Sequence, residues 1–194
     1  RYASAELKAD REIVLSAVSQ DGWVLQYASE ELRGDREFML AAVRQGGWAL
    51  EYVSAELKDD REIVLAAVSQ KGWVLRYASA ELKGDREIVL AAVSDFGEAL
   101  EYASAELKGD QEIVLAAVSQ TGMCGWALED ASSELRGDRD FVLAAVRQKG
   151  SVLQYASDAL KDGGLKSYVE CLINQYNVTK DTFIATILFG ARQT

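Results

Sequence analysis

The sequence predicts an all-α fold: a right-handed α-solenoid of six to seven 25-residue helix-pair repeats, closed by a C-terminal helical cap. Three observations predict it. One phrase recurs from Tyr2, Tyr27, Tyr52, Tyr77, Tyr102 and Asp130, and a seventh copy opens at Tyr155 and is cut short. A fixed period of this length marks units that stack, because no unit buries its apolar face alone. Each copy carries an apolar stripe at helical spacing behind an aspartate, and proline is absent throughout. The chain accordingly divides into residues 1–162, the tandem repeats, and residues 163–194, a C-terminal helical cap or docking segment.

The first copy shows the logic of each element. Asp10 stands ahead of Arg11-Glu12-Ile13-Val14-Leu15-Ser16-Ala17-Val18. Aspartate is a strong N-cap, and Glu12 in the first turn suits the helix dipole. Ile13 with Ala17, and Val14 with Val18, are i,i+4 pairs that form one stripe. The helix ends near Gln20, and Gly22 breaks it. The β-branched content makes a strand the competing assignment; the cap, the alanine pair and the 3.6-residue period favour helix.

A second helix is predicted over Trp23–Leu32. Leu25, Ala28 and Leu32 share one face, and Trp23 and Tyr27 lie nearly opposite, so this helix needs neighbours on two sides. Ser29 is its weak point, for two readings stand there: a bond back to the preceding turn, or a restart of the chain as a short 3₁₀ piece. Arg33-Gly34 closes the unit and Asp35 caps the next helix. Helices of about 10 residues, roughly 15 Å long, are marginal in isolation, so packing of copy against copy must stabilise them.

The phrase D-R-E-I-V-L-A-A-V-S-Q-x-G-W-A-L-x-Y-A-S-x-E-L, as at Asp60 to Leu82, closely resembles the repeats of the family called domain of unknown function 4116. The resemblance covers roughly residues 1 to 162. It implies an all-helical repeat module, often embedded in larger proteins, and implies no activity. A looser similarity extends to HEAT, armadillo and leucine-rich-variant repeats. Residues 163–194 depart from the phrase at Gly163-Gly164. Leu165, Tyr168, Val169, Leu172 and Ile173 then follow helical spacing. Thr179 is the cap of a second segment, striped by Phe183, Ile184, Ile187 and Leu188. This tail reads as a cap that seals the stack, or as a docking helix with Phe183, Ile187 and Phe189 as anchors.

The net charge of −10 and the pI near 4.6 argue against nucleic acid and anionic membranes, which need a basic footprint. No apolar run approaches the roughly 20 residues of a membrane span, so no membrane insertion is expected. The chain opens at Arg1, in mid-repeat and without Met or a visible signal peptide, which reads as a fragment or a processed chain, part of a longer protein or a larger complex. Cys124 and Cys171 read as free thiols in a reducing compartment, cytoplasm or organelle interior. The sequon Asn177-Val178-Thr179 reads as chance.

Chemistry is sparse. Without histidine, Ser-His-Asp and Cys-His catalysis and mixed Cys/His zinc sites are excluded. Two cysteines cannot build a four-cysteine site, and no phosphate-cradling loop is present. Asp95-Phe96-Gly97 spells a kinase magnesium motif without the rest of the kinase set. Arg-Gly-Asp at Arg33 and Arg136 reads as a cap turn. No catalytic, cofactor-binding or metal-binding residue is predicted, and an enzyme ranks third among the functions. Glu6, Glu31, Glu56, Glu81, Glu106 and Glu134 form one row; Arg11, Arg36, Arg61, Arg86 and Arg139 form another, with Gln111 the exception. The rows read as a ladder of caps and ion pairs that sets register, ahead of a charged ligand groove.

Function is expected where copies diverge. Copies four and five hold the largest acid excess. The tryptophan row of Trp23, Trp48 and Trp73 is interrupted by Glu98, resumes at Trp126 and is lost at Ser151. Copy five has three extra residues, placed as Met123-Cys124-Gly125, and copy six opens with Asp130 in place of tyrosine. Asp95, Phe96, Glu98, Met123, Cys124, Trp126 and Asp130 are therefore the candidate partner-binding residues, suited to a basic or amphipathic protein segment, with ordinary repeat drift as the plain alternative. The leading expectation is a non-enzymatic scaffold or interaction module; the alternative is a structural spacer or accessory subunit.

Overall fold

The computed structural model describes residues 3–120 and 126–161. Met123, Cys124, Cys171, the sequon, the predicted cap and the predicted boundary at residues 162–163 lie outside the described residues. The chain forms two compact units, Arg1–Leu107 and Lys108–Thr194. The fold is all-α: among the described residues there are helices and turns and no strand. None of the described helices is long and apolar enough to cross a membrane.

Each copy contributes one capped α-helix. In the first unit these are Arg11–Val18, Arg36–Gln45, Arg61–Val68 and Arg86–Asp95. In the second they are Gln111–Ser119 and Arg139–Gln148. The aspartate caps form as the sequence predicts. Asp10 Oδ1 accepts the Ile13 N–H at 3.0 Å, and Asp60 Oδ1 accepts those of Glu62 and Ile63 at 3.0 and 3.1 Å. Each such bond satisfies an amide that the first helical turn leaves without a partner.

The predicted second helix does not run unbroken over Trp23–Leu32. In its place a 3₁₀ helix, Gly22–Tyr27, gives way to extended backbone at Ala28 and Ser29, with ψ of 150° and 155°. A one-turn segment, Glu30–Gly34, follows. The pattern repeats as Gly47–Tyr52, Gly72–Tyr77 and Gly97–Tyr102 in the first unit and as Gly150–Tyr155 in the second. The unit is thus an α-helix paired with a 3₁₀ helix and followed by a turn; after the serine the chain restarts as one α-turn at Glu30–Gly34 and as short 3₁₀ pieces at Leu57–Asp59, Leu82–Gly84 and Leu107–Gly109.

Serine explains the break. Its Oγ accepts the N–H three residues on, from Leu32 at 3.3 Å and from Leu82 at 3.2 Å. Its own N–H donates to the previous copy: Ser29 to Lys8 O, Ser54 to Arg33 O, Ser79 to Lys58 O and Ser104 to Lys83 O, at 2.9 to 3.0 Å. A continuous helix would use that same N–H internally, so the serine must be extended for copies to be joined. In the second unit Ser132 donates to Lys108 O at 2.9 Å and Ser157 to Arg136 O at 2.8 Å. The extra residues of copy five lie between Lys108 and Ser132, and the bond forms across them.

The core is apolar throughout, with no buried polar or charged residue among those described. Phe38, Met39, Ala42 and Val43 of copy two are wholly buried, as are Ile63, Val64, Ala67 and Val68 of copy three. Leu50, Leu75 and Leu100 bury the inner side of their 3₁₀ helices. In the first unit the helices Arg61–Val68 and Arg86–Asp95 each pack on the helix and the 3₁₀ helix of the copy before, as a solenoid requires. Backbones come very close there. A Cβ on Gly47 would sit 2.5 Å from the Ala67 carbonyl oxygen, and one on Gly72 would sit 2.1 Å from that of Ala92.

Gly72→Ala should therefore destabilise the protein by about 1–3 kcal/mol, the usual cost of overpacking. At Gly34 the same change meets nothing within 4 Å, and Gly34→Ala should stabilise by about 0.4–1 kcal/mol through the unfolded state. Urea unfolding of the two variants checks the contrast; equal effects would contradict the close approach at Gly72.

Candidate functional site

The charged rows resolve into an inter-copy ladder in the first unit, but with partners other than the predicted glutamates. Arg36 Nε donates to Asp60 Oδ2 at 2.6 Å, and its second amino group to Glu62 Oε2 at 2.7 Å. Arg61 repeats this with Asp85 at 2.9 Å and with Glu87. Arg11 pairs with Asp35 and lies over the Phe38 ring, 5.6 Å from its centre. Arg11, Arg36 and Arg61, each at a helix start, thus hold the N-cap aspartate of the next copy. The row of Glu6, Glu31, Glu56, Glu81, Glu106 and Glu134 stays exposed outside this ladder, because the carboxylates beside each guanidinium belong to the next Asp-Arg-Glu triplet.

The pairing shifts the titration of its members. The Arg61 hydrogen bond holds the Asp85 carboxyl below the usual carboxylate range against the opposing effect of burial, helped by the Ile88 N–H. Burial pushes Asp60 up, but Arg36 and the Ile63 and Glu62 amides take it below its ordinary value. At Asp35 the Phe38 amide lowers the carboxyl most, burial opposes it, and Arg11 adds to the lowering. The Arg36 and Arg61 guanidiniums are pushed up, each first by its aspartate and then by its glutamate.

A second surface was not legible as such in the sequence. The 3₁₀ helices bury leucine and alanine or valine on one side and turn tryptophan and tyrosine outward. Trp23 and Tyr27 are 65% and 40% exposed, while Leu25 beside them is wholly buried. Trp48, Tyr52, Trp73 and Tyr77 are half-buried. The rings lie along the surface and touch across copies. Trp23 meets Tyr52 edge-on with centres 6.4 Å apart, and the Trp48 ring lies over Gly22. Trp73 meets Tyr77 at 6.1 Å, and the Arg76 and Lys58 cations stand 5.2 and 5.8 Å from the Tyr77 ring centre. Burial, and then the charge of Glu51, push the Tyr52 and Tyr77 hydroxyls up; Tyr77 also bonds Glu51. These tyrosines therefore remain neutral near pH 7. The two-sided apolarity predicted for this segment is real, but its aromatic side is a half-exposed rim, not a second buried face.

The predicted partner residues divide between the units. Asp95, Phe96 and Glu98 belong to the first, and Trp126 and Asp130 to the second. Asp95 serves the frame: its Oδ2 accepts the Gly72 N–H of the previous copy at 2.7 Å. One copy earlier Gln70 occupies this position and donates to the Val43 carbonyl at 2.9 Å. The aspartate thus exchanges a donor for an acceptor and keeps the cross-copy contact, and its kinase-like tripeptide has this structural use. Phe96 ends its helix 37% exposed, two residues before half-buried Glu98 in the tryptophan position. In the second unit Trp126 is 53% exposed and Asp130 half-buried. Among the described residues no group of three or more histidine, cysteine, aspartate or glutamate side chains is placed to hold a metal ion.

The family model described as Domain of unknown function (DUF4116) matches residues 1–33, 35–83, 85–124 and 122–161. The chain belongs to that family. No curated protein and no solved structure matches it.

The ladder has a definite pH signature. Carboxyls lowered in the folded state bind fewer protons there than in the unfolded chain, so their stabilisation is complete above about pH 4 and is lost as pH falls through the folded values. Arg61→Gln removes the main cause at Asp85 and should make the fall of Tm between about pH 5 and pH 2 shallower. Thermal melts in pH steps test this; an unchanged acid limb would remove the ladder from the stability account.

Proposed function

We propose that this chain is a non-enzymatic protein-interaction module whose outward row of tryptophan and tyrosine receives a basic or amphipathic segment of a partner. One observation carries the reading: at recurring positions tryptophan and tyrosine stand half-buried or exposed, beside leucines of the same 3₁₀ helices that are wholly buried. Aromatic residues placed on a rigid frame supply large contact area at small entropic cost, and they dominate binding hot spots. Carboxylates rim the row at Asp21 and Glu51, and the net charge of −10 steers cations toward it. The same charge disfavours nucleic acid. In this reading Phe96 and Glu98 extend the row in copy four, and Asp95 supports it from behind.

A second reading, a structural spacer, is favoured by the ladder, whose arginines at 36 and 61 are each taken up by two carboxylates of the next copy.

The immobilised 194-residue chain is compared with its doubly substituted Trp23→Ala, Phe96→Ser form in capture followed by mass spectrometry. Both residues are exposed, so the fold should survive, as circular dichroism would verify. Loss of specific partners by about tenfold or more is expected from hot-spot truncation. Equal recovery with both forms would favour the spacer.

A further inference from the structure

Two corners of tryptophan against tyrosine stand in the first unit, and they differ in charge. In one, Trp73 meets Tyr77 with ring planes at 71°, and the Arg76 and Lys58 cations lie 5.2 and 5.8 Å from the Tyr77 ring centre. In the other, Trp23 meets Tyr52 with ring planes at 67°. Both cation positions of the first corner are altered in the second. Glu51 precedes Tyr52 where Arg76 precedes Tyr77. Arg33, the counterpart of Lys58, pairs with Glu30 at 3.9 Å.

Carboxylates flank the second corner instead. Asp21 is exposed, and its Oδ1 accepts the Trp23 N–H at 3.1 Å, which holds the carboxylate beside the tryptophan. Glu51 is half-buried, and its charge and that of Asp21 both reach the Tyr52 hydroxyl. The faces of tryptophan and tyrosine attract a cation, and these carboxylates add to the attraction. The chain's own contacts show which cation suits a pair of carboxylates: Arg36 is shared by Asp60 and Glu62, and Arg61 by Asp85 and Glu87. A guanidinium is planar, so it stacks on a ring while its fork of donors reaches carboxylates at its edge; an ammonium is a compact point charge.

We propose that the corner of Trp23 and Tyr52 receives one arginine side chain of a protein partner, with its guanidinium against the rings and its donors on Asp21 and Glu51. In the interaction role proposed above, on which this assignment rests, that arginine is the group the rim recognises. The corner at Tyr77 already holds Arg76 and Lys58, so the chain fills one corner itself and leaves the other to the partner.

The probe is a capped peptide of glycine with two arginines, titrated into the 194-residue chain and followed by NMR at the Trp23 indole N–H. The double variant Asp21→Asn, Glu51→Gln removes both charges and keeps an oxygen for the Trp23 amide and one for the Tyr77 hydroxyl. It should raise the Kd by about tenfold or more, as loss of close charge partners does. The control Glu31→Gln, Glu56→Gln removes the same charge from exposed positions outside the corner, and should raise the Kd by less than about threefold, since distant exposed charges are screened. An equal rise in both double variants would overturn the proposal, as would equal affinity for the matching lysine peptide or an unmoved Trp23 signal. Partner capture separates this outcome from the interaction role itself. Partners lost with Trp23→Ala, Phe96→Ser but retained with Asp21→Asn, Glu51→Gln would overturn the arginine site and leave the interaction role standing. Partners retained by both forms would remove that role as well.

Discussion

The backbone N–H of Ser54 donates to the carbonyl of Arg33, and one copy later Ser79 does the same to Lys58. That bond joins backbone to backbone across copies, and most other features of the first unit follow from it. The serine must be extended to make it, so no long second helix can exist. The segment before it tightens into 3₁₀ geometry, where side chains three apart eclipse. Leucine then faces the core, and tryptophan and tyrosine are left on the outer side. Glycine opens each of these 3₁₀ helices, and at Gly47 and Gly72 it lets the backbone reach the next copy's helix. The arginine-to-aspartate ladder adds charge to the same junction. Exposed ion pairs contribute little each, about 0–1 kcal/mol, so the ladder selects register more than it supplies stability.

A frame held by main-chain atoms tolerates changes that side-chain packing would not. The extra residues of copy five fall between Lys108 and Ser132, and the 2.9 Å bond between them persists. Asp95 in place of glutamine finds a donor at Gly72 where Gln70 finds an acceptor at Val43. Divergence between copies is therefore compatible with both an unaltered frame and a specialised surface. The proposed interaction role rests on the exposed aromatic rim, Trp23 and Tyr27 above all, and not on that divergence.

The capped helices were legible in the sequence because their determinants are local: an aspartate, an apolar pair four residues apart, and a glycine at the end. The broken second segment was only half legible. Its apolar spacing fits a helix, and the residue that breaks it acts through a partner about one repeat away, which no local period reveals. The recurrence of serine in every copy was the available signal, since an exposed helix position has no reason to hold it. For the ladder, arginine and aspartate were visible as rows, but their pairing across copies depended on which helix start faces which cap. Glu6 and its counterparts share the period without sharing the junction. The outward aromatic rim was read as a second buried face because apolar residues on two sides of a helix usually mean burial on both.

The central claim is that the serine amides join the copies and open only when the stack itself opens. Native-state hydrogen exchange at Ser54, Ser79 and Ser104 tests it most directly. The account predicts protection equal to that of the neighbouring capped-helix amides, with the same dependence on denaturant, as expected for amides exposed only by cooperative unfolding. Exchange at these three amides at the rate of solvent-exposed turns, while the helices stay protected, would contradict it.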